Sequence, residues 1–166
     1  ASLKVEVNVV TDKDIADARL LVRDFEKIYL DMPVKLEKGV NVIKAGMTVK
    51  NPRLWWCNGM GEQNLYDFTT EVVSDGRVLA SKTERTVIRT IRLEQEKDQW
   101  VRSFRFILNG VPVYAKGVNV IPFDNILTNV TSETYSRHLE PAAEANMNMV
   151  RVWGGGIYES DEFYSQ

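Results

Sequence analysis

FILNGVPVYAKGVNVIPFDN, residues 106–125, reads as a hairpin that runs straight into an apolar strand. Phe104, Phe106 and Leu108 alternate with Arg105 and Ile107, the two-residue period of a strand with one buried face. Asn109-Gly110 supplies the dipeptide favoured by type I′ turns, and the chain returns through Val111 to Lys116. A largely apolar run follows from Ala115 to Ile121. Downstream, Thr131 to Met147 reads as a helix and Met149 to Trp153 as a second β-branched, apolar run. Strand, helix, strand is the order of a parallel crossover unit. Thr131 is the expected N-cap, with Glu133 in the first turn where a carboxylate suits the exposed amides. Pro141 predicts a bend, or a division near Glu140, because an interior proline removes a helical hydrogen bond. Gly154-Gly155-Gly156 ends the second strand in a backbone that bends freely and admits a ligand closely. Ser160-Asp161-Glu162 marks the start of a second helix.

Upstream the pattern changes to short β-rich segments. Leu3, Val5, Val7 and Val9 alternate with Lys4, Glu6 and Asn8, which predicts a half-buried strand. Further segments cover Ala18 to Arg23, Phe25 to Glu37, Val40 to Lys50, Leu65 to Val73, Arg77 to Ser81 and Thr86 to Leu93. Turns are expected at Lys38-Gly39 and Ser74-Asp75-Gly76, since glycine reaches positive φ without steric cost. About seven strands in about 90 residues fit an immunoglobulin-like sandwich without its hallmark disulfide. Glu94 to Gln99, charged and turn-like, is the expected boundary, giving a sandwich over 1–93 and a second region over 94–166. Within the first region NPRLWWCNGMGEQNLYDF, residues 51–68, is an aromatic, glycine-rich loop. Trp55 and Trp56 offer a sugar-stacking face, but tryptophans beside a sandwich more often fill a core or an interface. Cys57 has no adjacent histidine or base to lower its pKa, so a buried, inert thiol is expected.

Composition narrows the function classes. With 21 Lys and Arg against 23 Asp and Glu in 166 residues, and no dense basic cluster, nucleic acid is not an expected partner. The apolar runs fall short of the roughly 20 residues that cross a bilayer, and no basic-then-apolar pattern opens the sequence. Neither a membrane anchor nor a targeting signal is expected within it. No cluster of Cys, His and carboxylates has metal-ligand spacing, so neither a metal nor a cofactor is expected. Asn129-Val130-Thr131 is a glycosylation acceptor only in a eukaryotic secretory setting.

Three blocks carry a family resemblance: NPRLWWCNGMGEQNLYDF, FILNGVPVYAKGVNVIPFDN and NMNMVRVWGGGIYESDEFY. In this order and spacing they resemble consecutive segments of the β-mannosidases of glycoside hydrolase family two. The resemblance implies a retaining exo-glycosidase in which an immunoglobulin-like domain precedes a (β/α)₈ catalytic barrel. The barrel would open with the Asn109-Gly110 hairpin, a first strand at Tyr114 to Val118 and a second at Met149 to Trp153. The expected fold class is thus mainly β, a sandwich followed by the truncated opening portion of a barrel. A whole barrel needs about 250 residues and about 70 remain after the sandwich, so the chain is expected to be a piece of a larger enzyme. Retaining hydrolysis needs two carboxyl groups about 5–5.5 Å apart, and the resemblance puts both glutamates on later barrel strands. The chain alone is therefore expected to be inactive. Two barrel strands without neighbours expose edges, which predicts packing of the tail on the sandwich or self-association. Cys57 stands where these enzymes commonly carry proline, and Pro141 interrupts a helix that is commonly continuous.

Barrel sites lie at the carboxyl ends of strands, which selects Asn119 to Asp124 and Arg151 to Tyr158. By resemblance, Trp153 lines the sugar subsite, against the alternative of packing inside the barrel. Arg151 looks like a family arginine that supports the catalytic carboxylate, against a surface salt bridge. Asn119 and Asp124 either bond sugar hydroxyls or fix the loop turn. Glu159 and Glu162 are read as helix-start carboxylates rather than a catalytic pair, with Glu159 anchoring the loop after Gly156. His138, on the helix, is assigned a surface or packing role. The substrate class would be a β-mannoside; rivals are the same family on a glucosaminide or galactoside, and a binding module using Trp55, Trp56 and Tyr66.

Overall fold

The computed structural model describes residues 1–166, which form two compact units. The first comprises Ala1–Leu54 and Asn64–Ile88, the second Trp55–Gln63 and Arg89–Gln166. The division thus falls at Ile88, before the charged stretch at Glu94, and the aromatic loop belongs to the second unit.

The first unit is a sandwich of β1 (Ser2–Thr11), β2 (Ile15–Asp24), β3 (Lys27–Leu36), β4 (Gly39–Thr48), β5 (Tyr66–Ser74) and β6 (Arg77–Thr86). One sheet pairs β1 with β4, and the other runs β3-β2-β5-β6. Alternation in β1 does what its sequence asks: Leu3, Val5 and Val7 lie opposite Met47, Ala45 and Ile43 and turn inward with them. From the facing sheet Leu20, Val22, Phe68 and Val72 complete the core, Leu20 with no exposed surface at all. Lys38-Gly39 carries the chain from one sheet to the other, with Gly39 at φ 110°. Asp75-Gly76 closes the β5–β6 hairpin. The expected segment Phe25 to Glu37 is corrected at its start. Phe25 sits at φ 51° in the β2–β3 turn, 82% exposed, because Asp24 pairs with Lys27 and leaves two residues to reverse the chain. The expected segment Thr86 to Leu93 is also divided: Thr86 ends β6, Val87 and Ile88 stay in the first unit with Ile88 in its core, and the rest enters the second.

The second unit opens with β7 (Ile91–Glu94), β8 (Arg105–Leu108) and β9 (Val111–Val113), an antiparallel sheet in that order. Asn109 and Gly110 take φ 50° and 84° in the predicted turn. Glu94 is 7% exposed and paired with Arg105 across the β7–β8 register, and Arg92 reaches its other oxygen at 2.8 Å. The hydrogen bond from Arg105, helped by that from Arg92 and opposed by burial, holds the Glu94 carboxyl below its ordinary value of 4.5. A carboxyl depressed in the folded state stabilises it above the unfolded-state pKa and ceases to do so as pH falls through the folded value. Amide exchange in β7–β9 is therefore expected to accelerate as pH is lowered below about 4.5, after correction for intrinsic exchange. Glu94→Gln should flatten that dependence; an unchanged profile in the variant would assign the acid sensitivity elsewhere.

Then come β10 (Gly117–Val120), α1 (Ser132–Glu144), β11 (Met149–Val152) and the short α2 (Asp161–Ser165). β10 and β11 are parallel, as the strand-helix-strand order requires. Thr131 caps α1, and Thr134 answers from the third helical position. Pro141 neither divides the helix nor ends it at Glu140. It lies in the final turn, where a Schellman closure with Asn146 at φ 59° takes over, Asn146 donating to Ala143 and Met147 to Ala142. Asn58, from the aromatic loop, adds side-chain bonds to the carbonyls of Ala143 (2.8 Å) and Met147 (3.0 Å). The same loop receives a bond from Asn109 at the Trp55 carbonyl (2.9 Å), and the Arg89 guanidinium covers the Trp55 ring at 4.6 Å. Cys57 is buried. The loop thus ties the hairpin to the end of α1.

Candidate functional site

The site is built where β10 and β11 end. Gly117 and Met149 are register partners, and a methyl group on Gly117 would stand 1.8 Å from the Met149 carbonyl oxygen. Only glycine allows that approach. Asn148 fixes the register just before it, accepting from the Lys116 amide (2.9 Å) and donating to the Tyr114 carbonyl (3.1 Å). Two rungs on, Asn119 faces Arg151, and Arg151 Nη1 donates to Asn119 Oδ1 at 3.2 Å. Both side chains are exposed. Trp153 continues the face of Met149 and Arg151, since alternate residues share a side, and its amide extends the ladder to the Val120 carbonyl (2.8 Å). Its indole, 46% exposed, lies over Gly155, where an added methyl would meet Cζ2 at 2.3 Å. Gly156 completes the turn with a bond to the Trp153 carbonyl (3.3 Å) and rests against the Pro122 ring.

Asn119, Arg151 and Trp153 therefore stand together, on one end of a parallel pair. Asp124 is placed differently. Its Oδ1 accepts from the Ile126 amide (2.7 Å) and its Oδ2 from Asn129 Nδ2 (3.4 Å), so both oxygens serve its own loop. Glu159 accepts the Tyr135 hydroxyl at 2.9 Å, which attaches the loop after Gly156 to α1. His138 bonds the Thr134 carbonyl through Nδ1 (2.7 Å) and packs on Phe123, with ring centroids 4.9 Å apart. Tyr135 is the residue the linear reading passes over: no spacing rule pairs a helical tyrosine with a carboxylate 24 residues on. The cluster can offer an aromatic face, a fixed cation and an amide to a polar ligand. No group of three or more His, Cys, Asp or Glu is arranged to hold a metal ion, and no helix is long and apolar enough to cross a membrane.

Residues 1–89 match the sequence profile of Glycosyl hydrolases family 2. The chain belongs to this family. Among solved structures, the β-D-mannosidase of Dictyoglomus thermophilum superposes with a TM-score of 0.84 at 36% identity, over 99% of this chain and 21% of that one. β-Mannosidase B of Emericella nidulans is 39% identical over 124 residues, 75% of this chain and 15% of the relative. The β-mannosidase of Capra hircus is 34% identical over 170 residues, 98% of this chain and 19% of the relative. The chain thus spans 15 to 21% of the length of these relatives. Its mainly-β architecture, an immunoglobulin-like sandwich followed by the opening portion of a (β/α)₈ barrel, matches that of the Dictyoglomus thermophilum protein.

Proposed function

We propose that this family 2 chain is the sandwich and barrel opening of a retaining exo-β-mannosidase, which removes terminal β-mannose from mannosides. Its supporting observation is the grouping of Asn119, Arg151 and Trp153 at the carboxyl ends of β10 and β11, in a chain 34 to 39% identical to β-mannosidases. In this reading the Trp153 indole stacks on the apolar side of the sugar ring. Arg151, a permanent cation with a directional fork, orients a carboxylate or hydroxyl beside it, with Asn119 fixing its position. Asp124 shapes the loop that borders the sugar. The two glutamates that the family resemblance requires for acid/base and nucleophilic work stand on later strands, so this chain by itself is inactive. The sandwich, residues 1–93 in the sequence division, supports the barrel that starts in 94–166. The outer edges of β10 and β11, which bear no strand partner here, receive further strands of the longer protein or of a second copy.

The test is hydrolysis of a chromogenic β-mannoside by this chain and by the longer gene product that contains it. Activity in the longer protein alone is the expected result. Activity in neither would favour another β-glycoside or a binding module, and activity in this chain would overturn the assignment of the missing carboxylates.

A further inference from the structure

We propose that Tyr135 is a positioning residue, a single latch that holds both loops of the candidate site. Tyr135 is 4% exposed and comes from the first turn of α1. Its ring meets Phe123 edge-on, with centroids 5.4 Å apart, and Phe123 belongs to the loop that leaves β10. The ring also meets Phe163 of α2 at 5.3 Å. Its hydroxyl donates to Glu159 Oε2 at 2.9 Å and accepts from Ser160 Oγ at 3.2 Å, both in the segment that leaves β11. The ring therefore fixes one loop and the hydroxyl the other. Between Val152 and Glu159 the chain holds three glycines, an exposed Ile157 and an exposed Tyr158, and it buries little apolar surface. A segment of that kind draws its order from its ends. One end is the Trp153 amide on β10, and the other is Glu159 on Tyr135. Fixing both ends narrows the conformations of the turn that lays the Trp153 indole over Gly155. A hydroxyl bonded to a carboxylate is a charge-assisted hydrogen bond, stronger than a neutral one, and suits this task.

The meaning of the latch for sugar binding rests on the reading of Trp153 as a subsite residue, but the latch itself is tested without sugar. The 166-residue chain is labelled with 5-fluorotryptophan, and the Trp153 resonance among its four is assigned with Trp153→Phe. Amide exchange is followed in the same samples. Tyr135→Phe keeps the aromatic packing and removes the hydroxyl; Glu159→Ala removes the acceptor; Glu159→Gln keeps an acceptor oxygen. Each of the first two should speed exchange at the Gly156 amide, which bonds the Trp153 carbonyl, by about tenfold and shift the Trp153 resonance, with exchange in β10 and β11 unchanged. Their combination should add nothing beyond Tyr135→Phe, because that change already removes the bond to Glu159 together with the one from Ser160. Glu159→Gln should stay close to the parent chain. Unchanged loop exchange and an unmoved resonance in Tyr135→Phe, or additive effects of the two changes, would overturn the latch. Should Tyr135→Phe loosen β10 and β11 as well, the Glu159→Ala and Glu159→Gln pair decides alone: a wild-type loop in the first, or a loosened one in the second, would overturn it. An intact latch in a longer protein whose hydrolysis ignores Trp153 substitution would remove the sugar role and leave the positioning.

Discussion

Gly117→Ala is expected to pull β10 and β11 apart. The new methyl would lie 1.8 Å from the Met149 carbonyl oxygen and 2.7 Å from its carbonyl carbon, atoms of a backbone already committed to the parallel register. A flexible side chain could swing away; a paired strand cannot. Overpacking of this kind typically costs 1–3 kcal/mol and occasionally more, and contact with backbone puts the cost at about 3 kcal/mol. Exchange at Val118 to Val120 and Val150 to Val152 should rise more than 100-fold, with that in β1 and β4 unaffected. Gly46→Ala is the matched control, being a strand glycine with nothing within 4 Å of the added methyl. It should lie within about 0.5 kcal/mol of the parent and on the stabilising side, since alanine restricts the unfolded chain. Equal exchange in the two variants would mean that the pair yields without loss and that the close approach at Gly117 is not what holds it.

In the longer protein, Trp153→Ala should lower kcat/KM for a β-mannoside about 30- to 100-fold. An aromatic face in contact with the reacting sugar contributes roughly 2–3 kcal/mol, and each 1.36 kcal/mol is a factor of ten. Trp153→Phe keeps a smaller face and should recover part of the loss. Gly155→Ala attacks the same contact from beneath: its methyl would occupy the space 2.3 Å from Cζ2, so the indole has to leave its bed while remaining in the sequence. If stacking is the function, Gly155→Ala should resemble Trp153→Ala in kinetics. If Trp153 instead packs inside the barrel, Trp153→Ala should lower thermal stability with kcat/KM per folded molecule preserved.

How far the linear chain disclosed these features depends on the range of the interaction behind each. Alternation in β1, Asn109-Gly110 and the Thr131 cap act over a few residues, and their signals lie in neighbouring positions. The crossover unit was readable because period and length separate α1 from the apolar strands on either side. Phe25 was not, since a bulky residue at φ 51° runs against its own preference and is held there by the Asp24–Lys27 pairing. Ile91 to Glu94 looks like any strand; its partner, β8, is chosen by register and by the Glu94–Arg105 pair. At the site, strand ends select the ranges that hold Asn119, Arg151 and Trp153, the family resemblance picks Arg151 and Trp153 out of them, and the structure gathers the three. Asp124 was balanced between ligand and turn, and its geometry serves the turn. Tyr135 carries no local signal of its role, because both partners of its hydroxyl lie across the crossover.

The aromatic loop has a consequence for how the molecule is made. Asn58 reaches carbonyls 85 and 89 positions later in the chain, and Trp55 waits for Arg89 and Asn109. A ribosome moving at about 5–20 residues per second releases Ala143 about 4–17 s after Asn58. Throughout that interval the first unit can close with residues 64–88 in place while two tryptophans and a cysteine in the intervening loop stay unclaimed. Nascent chains of this protein should thus be chaperone clients at a defined moment of synthesis, and slow codons placed after residue 88 would prolong the hazard where the same codons placed before residue 51 would not.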